Sequence, residues 1–395
     1  MRLSVPTNWE IELLEALKDY PVNDIYGAVE GNVIGGGRPA WSLPAVTKKQ
    51  VGKYIEKTHS LGIKFTYLLN APCLSNIEYN RDSHQRIIKY LKWVNDIGVD
   101  YVTVTIPYLM EIIKNQFPKL KIMVSTIAQI NSVQAVKFFE ALGIDEINVD
   151  SMINRDFPLL KKIKEATKCN IQLVLNEICL YKCPFRQYHF NLSAHASQTL
   201  HPLKGFYLDY CLIKCALLRF SDFQEILKSR WIRPEDLKEY EEIGVDSFKI
   251  SGRDHSTKWI LNVVKAYANR KYNGNLIDLL GCIETSSLKS KSLLSIKNYK
   301  NIFSYILKLP LKLYKDFYDW KLISKEIQSY IYIDNNKLNG FIDFFKNNNC
   351  VLSCGECNYC EKWAKVAINA GQVQIDKYIN VLSKLLNKFT FSKCF

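Results

Sequence analysis

The stretch SHQRIIKYLKWVNDIGVDYVTVTI, residues 83–106, contains one complete unit of the fold. Its first part, SHQRIIKYLKWVNDIGV, reads as a helical pattern. Gly98 stops it, because glycine enters the left-handed conformation that ends a helix. The β-branched run YVTVTI (101–106) follows at once and reads as a buried strand.

The same unit repeats on both sides. Eight short apolar or β-branched runs mark the first 270 residues: RLSVPT (2–7), DIYGAV (24–29), FTYLLN (65–70), YVTVTI (101–106), KIMVST (121–126), EINVD (146–150), NIQLVLN (170–176) and SFKISG (247–252). Helical patterns separate them, and the ending Leu-Gly-Ile or Ile-Gly-Val recurs at Gly62, Gly98, Gly143 and Gly244. Strict β–α alternation implies a parallel sheet. Eight units are the count of a closed (β/α)8, TIM-like barrel, with an open doubly wound sheet as the alternative. Residues 1–280 are assigned to this barrel.

Barrel enzymes work at the C-terminal ends of their strands. Polar residues there are candidates for the mouth: Glu30, Asn70, Thr105, Ser125, Asn148, Asp150, Asn176, Glu177, Lys249 and Arg253. After the second strand, GNVIGGGRPAW offers Gly35, Gly36 and Gly37 beside Arg38 as an expected source of backbone N–H groups for an anion. After the seventh strand the chain makes a long excursion, residues 177–246, with two C-x3-C pairs, Cys179/Cys183 and Cys211/Cys215. Four thiolates from one excursion can close around zinc or an iron–sulfur cluster. Arg186, His189, His195 and His201 lie in the same stretch. Arg186, His189, Glu177 and Arg253 are the candidates for catalysis and for holding an anionic substrate. His189 could also move a proton near neutral pH.

Beyond Leu280 the alternation ends. Residues 285–395 read as a mainly helical, cysteine-rich accessory module, with a linker expected at 284–300. They carry 17 lysines, no arginine and 8 acids, against a formal charge of +14 for the whole chain. NIFSYILKLPLKLYKDFYDWKLI (301–323) is amphipathic, and packing against the barrel is its commoner explanation beside a membrane surface or RNA. Cys350, Cys354, Cys357 and Cys360 follow as C-x3-C-x2-C-x2-C, compact enough to wrap one metal centre, iron–sulfur or zinc. Cys73, Cys169, Cys282 and Cys394 are expected to be core or surface thiols.

The charge surplus is weak support for an anionic partner, since lysine and asparagine are abundant throughout. No window approaches the roughly twenty apolar residues of a membrane span. MRLSVPTNWEIELL has no signal-peptide core, so a reducing cytoplasm is expected, where cysteines serve as ligands or thiols.

Asn176-Glu-Ile-Cys179, Cys211-x3-Cys215 and above all Asp246-Ser-Phe-Lys-Ile-Ser-Gly-Arg253 resemble the collagenase-like U-32 peptidase family over roughly residues 1–270. The resemblance implies kinship with oxygen-independent hydroxylases that carry a 4Fe–4S cluster on four cysteines and act on a ubiquinone precursor, transfer RNA or ribosomal RNA. Other members are named collagen-type peptidases. Two departures stand out: Cys179 and Cys183 are closer together than the family's pair, and Pro234–Lys238 lacks a downstream cysteine. Cys215 is therefore expected as the fourth ligand. The cysteines at 350–360 lie outside the family core and suggest a second cluster and electron relay.

The expected function is iron–sulfur redox, hydroxylation or other atom-insertion chemistry on RNA, a peptide or an aromatic precursor. A related subunit or an electron donor is the expected partner. The alternatives are a metal-dependent peptidase, for which no H-E-x-x-H or G-x-S-x-G signature appears, and a non-catalytic iron–sulfur partner.

Overall fold

The structure is a computed structural model and describes residues 1–29, 31–40, 43–201, 209–281, 316, 319–320, 323–324, 326–350 and 353–390. Glu30, Cys282, Cys394, the expected linker and most of the 301–323 segment lie outside the described residues.

All eight expected strands form. They are β1 (Arg2–Pro6), β2 (Val22–Gly27), β3 (Lys64–Leu69), β4 (Tyr101–Val104), β5 (Lys121–Val124), β6 (Glu146–Asn148), β7 (Asn170–Val174) and β8 (Ser247–Lys249). Every neighbouring pair is parallel, and β8 closes on β1 through Arg2↔Ser247 and Ser4↔Lys249, so the sheet is a barrel and not an open one.

Helices cover its outside: α1 (Ile11–Leu17), α2 (Lys48–Ser60), α3 (Arg81–Asp96), α4 (Pro107–Gln116), α5 (Val133–Ala141) and α6 (Phe157–Ala166). After β7 come α7 (Arg186–Ser197), α8 (Tyr210–Ser221), α9 (Gln224–Lys228) and α10 (Leu237–Glu242); α11 (Thr257–Ala268) follows β8. The opening unit behaves as its sequence dictates. Asn80 caps α3 by accepting from the N–H groups of Asp82 and Ser83, Ile87, Leu91 and Val94 are buried, and Gly98 stops the helix at φ +80°. Gly62, Gly143 and Gly244 repeat the device.

Two kinds of core result. A large apolar cluster fills the space between sheet and helices, whereas only Tyr26, Ala28 and Leu68 form a separate small one. A buried polar layer crosses the barrel interior. Asp24 accepts from Ser4 (2.9 Å) and Thr66 (2.7 Å), and Glu146 from Ser247 (2.8 Å) and Gln172 (3.3 Å). Barrel interiors are usually filled by bulky branched side chains, so this layer is a departure that alternation alone does not reveal.

The C-terminal residues are mainly helical, with α12 (Asp343–Lys346), α13 (Cys354–Cys357), α14 (Tyr359–Ala367) and α15 (Gln372–Thr390). They also contain an antiparallel pair absent from the sequence reading, β9 (Ile331–Ile333) with β10 (Ile368–Ala370). α15 packs on α8 and α14 on α9. Arg233 fastens the two parts together, donating to Asn335 Oδ1 (3.0 Å), Leu338 O (2.5 Å) and Asn339 Oδ1 (2.8 Å).

Candidate functional site at the barrel mouth

The loop after β6 organises the cysteine excursion. Asp150 accepts from the Met152 N–H, turning the chain, and from Arg186 Nη1 at 2.5 Å. Next to it, Ser151 donates to Glu177 Oε2 at 3.1 Å and accepts from Arg186 Nη2 at 3.4 Å. Burial works against the Arg186 charge, but Asp150, followed by Cys179 and Glu177, raises its pKa and keeps it protonated.

Cys179 and Cys183 stand between β7 and α7, while Cys211 and Cys215 lie one turn apart on α8, on one side of that helix. Cys215 is in electrostatic range of Cys179, Cys183 and Cys211, and Cys183 acts on Cys211. Burial pushes Cys179 and Cys211 up to about 12 and also raises Cys183, so these thiols are protonated near neutral pH. Arg186 and Arg219 oppose the rise and supply positive field for thiolates. Among the described residues no three His, Cys, Asp or Glu side chains are already closed around one ion position. The donor set, four soft sulfurs beside two guanidiniums, nevertheless suits a tetrathiolate group.

Next to β7, whose end leads into the cysteine excursion, β8 brings a basic group to the mouth, with Lys249 paired in register with Val174. Lys249, at the end of β8, holds its ammonium 4.0 Å above the Tyr26 ring, and burial lowers its pKa to about 8. Arg253 is buried, and no hydrogen bond or ion pair holds its guanidinium among the described residues. Burial first and Arg38 second bring its pKa down to about 10. Arg38 itself pairs with Asp254 at 2.9 Å. Glu177 joins the two sides electrostatically, acting on Cys179 and Arg186 as well as on Lys249 and Arg38.

Other expected mouth residues are consumed by the fold. The glycine run offers no free N–H groups: Gly35 donates to Asn32 Oδ1 (2.7 Å), Gly36 to Ser197 Oγ (2.8 Å) and Gly37 to Asn70 Oδ1 (3.2 Å). Asn176 ties Ser251 and Leu279 together, Asn148 donates to Gln172 in the polar layer, and Thr105 donates to the Asn70 carbonyl. His189 pairs with Asp209 at 3.1 Å. His195 and His201 stack on each other at 4.5 Å, and His195 bonds Ser75 at 2.9 Å. Cys73 accepts from the Ser75 N–H, and Cys169 is a buried thiol donating to the Ile144 carbonyl.

The C-terminal cysteines meet the barrel through residues that spacing rules miss. Arg230 donates to Cys350 Sγ at 3.7 Å and stacks 3.7 Å from the Tyr181 ring, between Cys179 and Cys183 in sequence. Arg155 bonds the carbonyls of Leu227 (2.6 Å) and Trp231 (3.0 Å). Cys360 is in electrostatic range of Arg155, Arg230, Cys350 and Cys354. A signal for these arginines was present: in a chain where lysine dominates, they stand out as arginines in and near the cysteine excursion.

Residues 36–274 match the model of peptidase family U32. The chain is similar to an uncharacterized protease of Methanocaldococcus jannaschii, 32% identical over 339 residues, covering 85% of this chain and 86% of that one. A solved U32 peptidase is 20% identical, with a TM-score of 0.48, covering 64% of this chain and 92% of that one. On the strength of the family match and this relative, the chain belongs to peptidase family U32.

Proposed function

We propose that the protein is an iron–sulfur enzyme of the U32 family, with a 4Fe–4S cluster on Cys179, Cys183, Cys211 and Cys215. The observation that carries this reading is that both cysteine pairs belong to the excursion at the catalytic end of a closed barrel, with Cys215 in electrostatic range of the other three thiols, near cations that have no carboxylate partner among the described residues. When bound, such a cluster supplies one-electron transfer or a Lewis-acidic iron for oxygen-independent hydroxylation or related atom insertion.

The chain's own residues divide the remaining work. Arg253 and Lys249 hold an anionic group of the substrate, whether it belongs to RNA, a peptide or an aromatic precursor. Arg186 is committed to Asp150, so it positions the start of α7 and keeps positive charge beside the thiolates. Glu177, between thiols and cations, can accept a proton or hydrogen bond. His189, paired with Asp209, is suited to pass a proton at the rim. Hydroxylation with water as the oxygen source removes two electrons and two protons from the substrate, and these would pass to an external one-electron acceptor or a related subunit; an organic oxygen donor bound as co-substrate would take their place. Among the described residues no helix is long and apolar enough to cross a membrane.

Purification without oxygen, followed by iron and sulfide counts and EPR of the dithionite-reduced protein, tests the reading. The expected result is a cluster that Cys183→Ser removes. Colourless protein with zinc alone at these cysteines would sink it.

The second reading, a metal-dependent peptidase, is favoured by the name of the Methanocaldococcus relative. It predicts gelatin cleavage that Cys183→Ser abolishes and dithionite does not affect.

A further inference from the structure

Arg155 and Arg230 are 3% and 6% exposed, and among the described residues neither has an ion-pair partner. Arg155 is held by two carbonyls and packed against the rings of Trp231, Phe341 and Phe345, at 4.4, 4.9 and 5.1 Å. Asp236 reaches it only at longer range, and Arg230 repels it. Two buried guanidiniums pushing on each other are costly unless an anion offsets them.

The groups facing them are thiols. Cys350 accepts from Arg230, Cys360 is in range of both arginines, and Cys354 acts on Cys360 and on Lys228. Four neutral thiols would leave both charges uncompensated. Four thiolates around Zn2+ or a 4Fe–4S core carry about two net negative charges, which matches two guanidiniums.

We infer that Cys350, Cys354, Cys357 and Cys360 hold a tetrathiolate metal centre, neutralised by Arg155 and Arg230, which fasten it to the barrel. This stretch lies outside the matched family region, which ends at residue 274, and the assignment stands without the first cluster. Each thiol gives up its proton as it ligates. Arg230 is a positioning residue: it bonds one ligand and stacks on Tyr181, inside the Cys179–Cys183 loop, so it touches both cysteine sets.

The test uses the full chain made without oxygen, with iron, zinc and sulfide counted in wild type, in Cys179→Ser/Cys183→Ser and in Cys354→Ser/Cys357→Ser. The first variant should keep one metal centre, which the second should lack. Iron with sulfide identifies that centre as a cluster, and zinc without sulfide as a zinc site; either supports the inference. Unchanged metal in Cys354→Ser/Cys357→Ser, or none in Cys179→Ser/Cys183→Ser, overturns it. Metal retained by wild type at the C-terminal set alone overturns only the proposed function. Misfolding is separated from ligand loss by Arg230→Met, which should speed metal loss to a chelator by about tenfold or more, with partial rescue by Arg230→Lys. In the Cys354→Ser/Cys357→Ser background, Arg230→Met should raise Tm, because the stranded cation is gone. Equal metal-loss rates with and without Arg230, or a lower Tm in that background, overturn the charge pairing.

Discussion

Arg186 Nη1, on the first residue of α7, lies 2.5 Å from Asp150 Oδ1 just past the end of β6, and both side chains are buried. The pair locks the start of α7, and with it the Cys179–Cys183 loop, to a strand of the barrel. Asp150→Ala would strand a buried cation, at a cost of about 3–5 kcal/mol in urea unfolding. Replacing both residues by apolar ones of similar size should recover much of that loss. A single-variant loss below about 1 kcal/mol would mean that the loop is held elsewhere.

Glu146 in the barrel interior is raised to about 7, by burial first and by the Asp24 charge second. Because its folded pKa lies above its unfolded value, the folded state binds the extra proton. Its contribution is therefore fully present below about pH 4.5 and is lost as pH rises through 7. Glu146→Gln keeps an acceptor for Ser247 and Gln172 and removes the charge. The variant should match wild type near pH 5 and be up to about 3 kcal/mol more stable at pH 8, read from denaturant midpoints. A stability difference that does not change with pH would refute the raised pKa.

If Arg253 holds the substrate anion as proposed, its burial gives up stability for binding. Among the described residues Arg253 has no ion-pair partner, and burying such a cation costs free energy, so Arg253→Met should raise stability by about 1–3 kcal/mol in calorimetry. Iron content should not change, whereas any turnover should fall steeply. A destabilised Arg253→Met protein would reveal an internal anionic partner.

Arg233 clamps residues 335–339 to the barrel through three acceptors. Arg233→Ala should loosen that contact and hasten proteolysis within 284–300, leaving a barrel-sized fragment of residues 1–280. Cuts inside the barrel with 284–300 intact would contradict the two-part organisation.

Much of the fold was legible because its signals are local. A strand run, a helix face and a glycine stop depend on residues within a turn or two of each other, and eight repeats of them leave few topologies. The cysteine pairs were legible as well, since ligand spacing is a local property. The roles of Arg186 and of Gly35–Gly37 were not. A guanidinium or an N–H group reads the same in sequence whether its partner is a substrate or a buried side chain. Asp150, Ser197 and Asn70 are brought to them only by the closing of the barrel, whereas Asn32 meets Gly35 within its own loop.

Arginine tells the same story at longer range. Of the 53 basic residues only eleven are arginines, and Arg155, Arg186, Arg219, Arg230, Arg233 and Arg253 are buried. The planar fork of arginine can satisfy several acceptors in low dielectric, which the lysine ammonium does less readily. Sequence alone determined the eight βα units, the two tetracysteine sets and the family motif ending in Arg253. Tertiary structure alone decided which cations stay without a carboxylate among the described residues, because charge compensation depends on distance in space. Arg155, Arg230 and the C-terminal thiols come from parts of the chain far apart in sequence, and they meet only when the last helices pack against α8 and α9.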